Sequence, residues 1–351
     1  MGNNTTFIDQ TLGYAWENQY LSNSEFIAVK QKITALSQVV FDLTLQSLES
    51  VLLYGAMDIE DIRICIQPTA KQVVQARQLG CKFVKVSLPY KDVKKLPAPA
   101  AAALRKARAE EMAIALHING SCQYSVSSIR SLRRLVQEYG ISSIVFDDEH
   151  SALDPMLTYE TLLKLQQQIP CLVEYYGKNA MGLATGNALG AIKSGVRHIA
   201  VSVGGVAGYP AIEEVLMGGW FLLRFPLEVP KNIAAWCEEI LHYVGQRVQP
   251  TKPIIGCNIF AHESGIHVDG VNKKSDLYEP FTPETVGLLR KIIIGKHSGK
   301  AAIELKLKEL NLSIQPTAVM QVLEKVRDLA IWQKAPVSDR QLRELVYEVA
   351  S

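Results

Sequence analysis

Several features that often fix a protein's class are missing from this 351-residue sequence. It has no Cys-x-x-Cys pair. Cys65, Cys81, Cys122, Cys171, Cys237 and Cys257 are scattered, several of them within apolar runs. Such spacing excludes a zinc-cluster or disulfide-framework reading and predicts buried free thiols. No apolar run reaches the roughly 20 residues that span a bilayer. Residues 1–6 are polar and lack an apolar signal core, so cytoplasmic residence and no membrane partner are expected. Charge of one sign is also missing. Lys+Arg 37 against Asp+Glu 35 leave a net charge of +2, so no nucleic-acid partner is expected. The one basic run, Lys91 to Lys95, is short and interrupted and reads as a solvated loop. No Gly-x-Gly-x-x-Gly follows the first strand candidate, which disfavours a dinucleotide-binding open sheet.

What is present is periodic. Short apolar, β-branched runs lie at 5–12, 39–45, 61–66, 81–88, 112–119, 143–148, 171–177 and 198–204. Between them, stretches such as 70–79, 125–139 and 157–168 carry apolar residues at i, i+3, i+4 spacing. Eight strands alternating with helices predict a parallel sheet closed as a (β/α)8 TIM barrel over 1–220. A connecting segment with a helix at 232–244 then covers 221–256. A small, loop-rich α+β subdomain covers 257–299, and two or three C-terminal helices fill 300–351. The Pro/Ala stretch 97–103 leads into a further helix.

Barrel chemistry sits at the C-terminal ends of the strands. There, Asp147-Asp148-Glu149-His150 could hold a metal or do acid–base work. Alternation lets at most two of the four share a face, and the plainer reading is a solvated strand end. His117, in mid-strand, reads as a hydrogen-bonded core histidine. Gly204-Gly205-Val206-Ala207-Gly208 could cradle a phosphate through its N–H groups. The densest chemistry lies beyond the barrel, in His262-Glu263-Ser264-Gly265-Ile266-His267-Val268-Asp269-Gly270 and in Gly295-Lys296-His297-Ser298-Gly299. Loops of that composition usually carry function.

These two segments, with Tyr278-Glu279-Pro280-Phe281 between them, resemble the post-barrel subdomain of homocitrate synthases of the nitrogen-fixation type, within the isopropylmalate synthase superfamily. Inside the barrel, Asp9-Gln10-Thr11-Leu12 resembles the start of the family's D-T-T-L-R-D-G-E-Q. Ser87-Leu88-Pro89, Leu153-Asp154-Pro155, Gly182-Leu183-Ala184-Thr185-Gly186-Asn187-Ala188-Leu189 and the Ala211 to Val215 run are similar to its other motifs. The resemblance implies an acyltransferase that condenses acetyl-CoA with a 2-oxo acid at a divalent metal. The short tail favours 2-oxoglutarate as that acid and homocitrate as the product.

The sequence departs from the family at the metal. The Arg-Asp of the first motif falls on Gly13-Tyr14, and the G-E-Q on Ala15-Trp16-Glu17. The H-x-H falls on Tyr176-Gly177-Lys178. The A-D-T-V-G reads Asp147-Asp148-Glu149-His150-Ser151, and the G-E-R-A-G-N is shortened around Tyr209. A tyrosine with a pKa near ~10 is a poor ligand for a hard cation, and the Lys178 ammonium repels one. The degenerate site thus comprises Gly13, Tyr14, Trp16, Glu149, Tyr176, Lys178 and Tyr209, with no metal or other cofactor expected in this chain. By the same resemblance, the post-barrel subdomain supplies a histidine and a tyrosine to a neighbouring barrel, here His267 and Tyr278. His262, Glu263, Ser264, Lys296, His297 and Ser298 are possible supporting residues. The pattern is similar to the omega subunit of two-component homocitrate synthases. Its partner is a catalytic barrel subunit holding the divalent metal, acetyl-CoA and 2-oxoglutarate. A regulatory or metabolite-binding pseudoenzyme is the alternative, and a re-purposed enzyme using Asp147, Asp148, His150 and Lys178 is a third reading.

Overall fold

The computed structural model describes residues 5–53, 58–120, 124–148, 150–263 and 279–350. The chain forms two compact units, Met1–Val248 and Gln249–Ser351. In the first, eight strands close in sequence order as a parallel barrel: β1 Thr6–Asp9, β2 Val39–Thr44, β3 Ile62–Ile66, β4 Phe83–Pro89, β5 Ala113–Asn119, β6 Ser143–Asp148, β7 Leu172–Gly177 and β8 His198–Val201. Parallel strands buried on both faces need apolar residues at almost every position, hence the Val, Ile and Leu richness of the eight runs.

The helices between them are α1 Thr11–Glu17, α2 Asn23–Leu36, α3 Leu45–Leu52, α4 Ala70–Gln78, α5 Ala98–Ala109, α6 Val126–Tyr139, α7 Pro155–Gln168, α8 Ala184–Ser194, α9 Ile212–Phe221 and α10 Ile233–Tyr243. Local chemistry sets their ends. Ser22 and Glu25 form a capping box on α2. The Asp154 carboxylate accepts from Met156 and Leu157 N–H, with Pro155 at the first position of α7. Gly140, in the left-handed region, closes α6. Helix α10 packs on α2 and so belongs to the barrel unit.

Two strand expectations overshoot. The strand expected over 5–12 stops at Asp9, because the Asp9 carboxylate turns back to accept the Leu12 N–H at 2.8 Å and starts α1. The strand expected over 198–204 stops at Val201. The chain then coils through 3-10 turns with positive φ at Gly204, Gly205, Ala207 and Gly208. Among the described cysteines all are free, but only Cys81 and Cys237 are buried; Cys65 and Cys171 are half-buried, and Cys257, in the loop-rich segment after α10, is exposed.

In the second unit, Ala261–His262 and Lys291–Ile292 pair as a short parallel ladder. The helices Lys300–Glu309, Val319–Gln333 and Asp339–Ala350 bury Ile303, Leu307, Val322, Val326, Leu342 and Val346 in one apolar cluster. Among the described residues, no helix is long and apolar enough to cross a membrane.

Candidate functional site

Strand alternation decides which side chains fill the barrel. Ile8, Ala115, Val145, Tyr176 and Ala200 meet there as an apolar layer. The same alternation turns four charged residues inward: Asp42 on β2, Arg63 on β3, Lys85 on β4 and Glu174 on β7. All four are buried, Arg63 and Glu174 completely.

They form one network. Arg63 Nε donates to Asp42 Oδ1 at 2.6 Å, and its Nη1 donates to both Glu174 oxygens at 2.7 and 2.9 Å. Arg63 Nη2 also donates to the Tyr176 hydroxyl, and Lys85 Nζ donates to Asp42 Oδ2. The Tyr176 hydroxyl donates to the same Asp42 oxygen at 2.5 Å, and the Gln10 amide reaches it at 3.0 Å. Ser143 Oγ donates to Glu174 Oε1 at 2.5 Å. Two cations thus meet two carboxylates with a neutral sum, and pairing of this kind lets charges persist out of water.

The acidities follow. Burial opposes ionisation of Asp42, but Arg63 and then Lys85 outweigh it and hold the carboxyl well below its ordinary range. Burial likewise opposes Glu174, and Arg63, His198 and Ser143 bring it down to about 2. Burial works against the Lys85 ammonium too, yet Asp42 holds it protonated beyond its usual range. The Tyr176 phenol is pushed far up, first by burial, so it stays a neutral donor.

That donor set does not fit a divalent cation. Tyr176, expected at the first position of an H-x-H, has its oxygen already shared between Arg63 and Asp42. Any ion beside Asp42 would share its carboxylate with a guanidinium and an ammonium, at distances where like charges repel strongly. Among the described residues, no group of three or more His, Cys, Asp or Glu could hold a metal.

The remaining mouth residues fall into place around this core. Gly13 lies against β2, where a Cβ would come within 2.8 Å of the Asp42 carbonyl oxygen. The backbone position itself therefore has no room for a side chain. Tyr14 lines a mouth cleft of about 250 Å³ with Gln10, Glu17, Thr44, Lys178 and Tyr209. Trp16, expected at the mouth, instead donates to Ser50 Oγ at 2.8 Å and packs edge-on against Phe26. Lys178 is not the charge at the centre. Its Nζ donates to the Ala207 carbonyl at 2.9 Å and lies 3.4 Å from the Tyr209 ring centroid. The cations at the centre are Arg63 and Lys85, which the sequence reading did not single out. Their signal was a lone charge between buried apolar neighbours, as in Ile62-Arg63-Ile64 and Val84-Lys85-Val86.

The strand-six end is not solvated. Asp147 and Asp148 are both buried and face opposite sides of β6. Asp147 Oδ2 lies 3.2 Å from His117 Nε2 inside the barrel. Asp148 Oδ1 accepts the Ala152 N–H at 2.8 Å, and burial raises its pKa. Glu149 lies outside the described residues. The glycine-rich turn after β8 spends its Gly204 N–H internally, on Glu213 Oε2 at 3.0 Å. A phosphate cradle at that amide is thereby replaced by the chain's own carboxylate.

In the second unit the short ladder gathers the supporting set. Glu279 takes Arg290 through both oxygens, the closest at 2.7 Å, and lies 3.5 Å from His262 Nε2. Glu263 Oε1 accepts the His297 N–H at 2.9 Å. Buried Ser298 accepts the Gly295 N–H through Oγ and two Arg327 bonds through its carbonyl. Lys296 borders a hollow of about 390 Å³ with Glu263 and Lys334. Ser264, His267 and Tyr278 lie outside the described residues.

Comparison with known proteins adds two domain matches. Residues 28–218 match the HMGL-like family, and residues 254–334 match the homocitrate synthase post-HMGL domain-like family. The chain is 35% identical over 254 residues to 2-isopropylmalate synthase 2 of Caldanaerobacter subterraneus subsp. tengcongensis, covering 70% of this chain and 65% of that protein. It is 36% identical over 217 residues to homocitrate synthase 1 of Nostoc sp., covering 60% and 57%. The matched region thus spans less than two thirds of either relative. Among solved structures, the HMG-CoA lyase of Brucella melitensis superposes with a TM-score of 0.53 at 13% identity, over 70% of this chain and 98% of that one. The carboxyl transferase domain of Rhizobium etli pyruvate carboxylase does so at 0.54 and 12%, over 79% and 54%. These likenesses concern the fold alone.

Proposed function

The chain belongs to the HMGL-like family, and from that premise we propose that it is the non-catalytic subunit of a split homocitrate synthase. In this reading its own barrel performs no condensation. The subdomain after the barrel supplies His267 and Tyr278 to the mouth of a catalytic partner, which carries the divalent metal. The assembled enzyme joins acetyl-CoA, 2-oxoglutarate and water into homocitrate and CoA.

One observation carries the proposal. The Asp42 carboxylate is saturated by Arg63, Lys85, Tyr176 and Gln10, where the family's chemistry needs a cation. A barrel that binds charge this way keeps its fold and forgoes Lewis-acid catalysis. The post-barrel match over residues 254–334 supports retention of the donated segment.

A metabolite-binding pseudoenzyme is the second reading. It is favoured by the cleft of about 250 Å³ at the mouth. Mixing the chain with a catalytic barrel subunit separates the two. CoA release from acetyl-CoA and 2-oxoglutarate is expected only from the mixture, and His267→Ala lowers it while leaving the subunits associated. Turnover by the isolated chain, or a stoichiometric divalent ion bound to it, defeats the proposal. A mixture no faster than the partner alone transfers support to the pseudoenzyme.

A further inference from the structure

Between α6 and α7 the barrel unit carries a hollow of about 370 Å³ lined by Tyr124, Ile129, Leu153, Leu157 and Leu165. Val126, at one end, is 75% exposed, and Met156, beside Leu157 in the chain, is 70% exposed. Side chains of this kind on a helix pair form a groove into which an amphipathic helix can pack. The outer face of α6 adds two positive charges ahead of Glu138. Arg130 and Arg134 are exposed and have no ion pair among the described residues.

The second unit carries the complementary surface. On the Val319–Gln333 helix, Met320, Glu324, Asp328, Ile331 and Trp332 share one outward face, following the i, i+4 spacing of a helix. Ile331 is 61% exposed and Trp332 81% exposed. Glu324 and Asp328 likewise have no ion pair among the described residues. Three features match. Apolar side chains flank the charges on both surfaces. Two carboxylates four residues apart, about 6 Å along a helix, have the same spacing as the two guanidinium groups. The stripe from Met320 to Trp332 is about 18 Å long, against about 17 Å for α7 from Leu157 to Gln168, at 1.5 Å per residue.

We propose that the α6–α7 groove binds the exposed face of the Val319–Gln333 helix of a second copy of this chain. Trp332 and Ile331 enter the apolar hollow, and Glu324 and Asp328 pair with Arg130 and Arg134. The contact joins two different surfaces. It does not depend on the functional reading above, because it involves no residue of the barrel mouth.

Sedimentation velocity of the full-length chain over a concentration series tests it. The wild type self-associates, more weakly as salt rises. The double variants Arg130→Glu/Arg134→Glu and Glu324→Arg/Asp328→Arg each weaken association at least about tenfold, because like charges then meet. Mixing the two variants restores association between them. All four exchanged side chains lie on exposed helix faces, so thermal melting checks that each variant stays folded. The proposal is overturned by a monomeric wild type, by association that neither variant weakens, or by variants that fail to pair when mixed. Pairing through another surface, including one shared with a catalytic partner, gives the second of those results.

Discussion

The barrel's interior and the helical shell beside β6 and β7 both bury polar groups, but for different ends. In the interior, Asp42, Arg63, Lys85, Glu174 and Tyr176 pair with one another across the barrel. In the shell, the polar residues of the family-like motifs serve the backbone. Asn187 donates to the Leu153 carbonyl at 2.8 Å, tying α8 to the segment before α7. Asp154 caps α7, and Asp148 holds the turn after β6. The motif residues of the shell thus fix backbone, while the charged residues of the interior fix one another. Gly177 shows how close the two regions lie. Its neighbour Tyr175 faces the shell, and a Cβ on Gly177 would come within 2.2 Å of the Tyr175 hydroxyl. The residue between Tyr176 and Lys178 is thus set by packing.

Three perturbations sharpen the contrast. Arg63→Met has the largest expected effect. It leaves Asp42 and Glu174 buried with their shared partner gone, so urea unfolding should show a loss of about 3–5 kcal/mol. A loss under about 1 kcal/mol would mean that the network is not what holds the interior together. Asn187→Ala comes next. A buried carbonyl loses its donor, and about 1–3 kcal/mol should go, measured the same way. An Asn187→Ala cost equal to that of Arg63→Met would erase the distinction between the two regions.

The smallest effect is read in pH. Glu174 is depressed to about 2 and Asp42 lies well below its ordinary value, so their stabilisation is complete above the unfolded carboxylate range of about 4. It is lost as pH falls toward 2. Asp9 behaves oppositely. Burial raises it to about 6 despite its bonds to Leu12 and Thr11, so the folded state takes up its proton first. Stability should therefore rise by about 1 kcal/mol between pH 7 and pH 5 before it falls below pH 4. Asp9→Asn should abolish the rise and spare the fall. A variant that keeps the rise places the proton elsewhere, with Asp148, also raised by burial, the next carboxyl to replace.

The barrel was legible because burial on both faces of a parallel strand leaves a continuous apolar run, and eight such runs alternate with amphipathic helices. Strand ends were less so. Where Asp9 turns back to Leu12, or Gly204 to Glu213, a long-range or turn-specific bond ends the strand, and composition alone does not mark it. The replaced residues at the mouth were visible as departures from a motif. Their new neighbours were not. Trp16 reads as a mouth residue by position but bonds to Ser50, 34 residues away.

By itself, the sequence determined the order of strands and helices, the family and which residue types stand in the family-like motifs, since each is carried by local pattern or side-chain chemistry. Only the tertiary structure decided what those residues meet. Asp42, Arg63, Lys85 and Glu174 stand on four different strands, with Arg63 and Glu174 separated by 111 positions. Closing the barrel brings them together, and their charges can remain buried only because each then finds an opposite charge within hydrogen-bond reach.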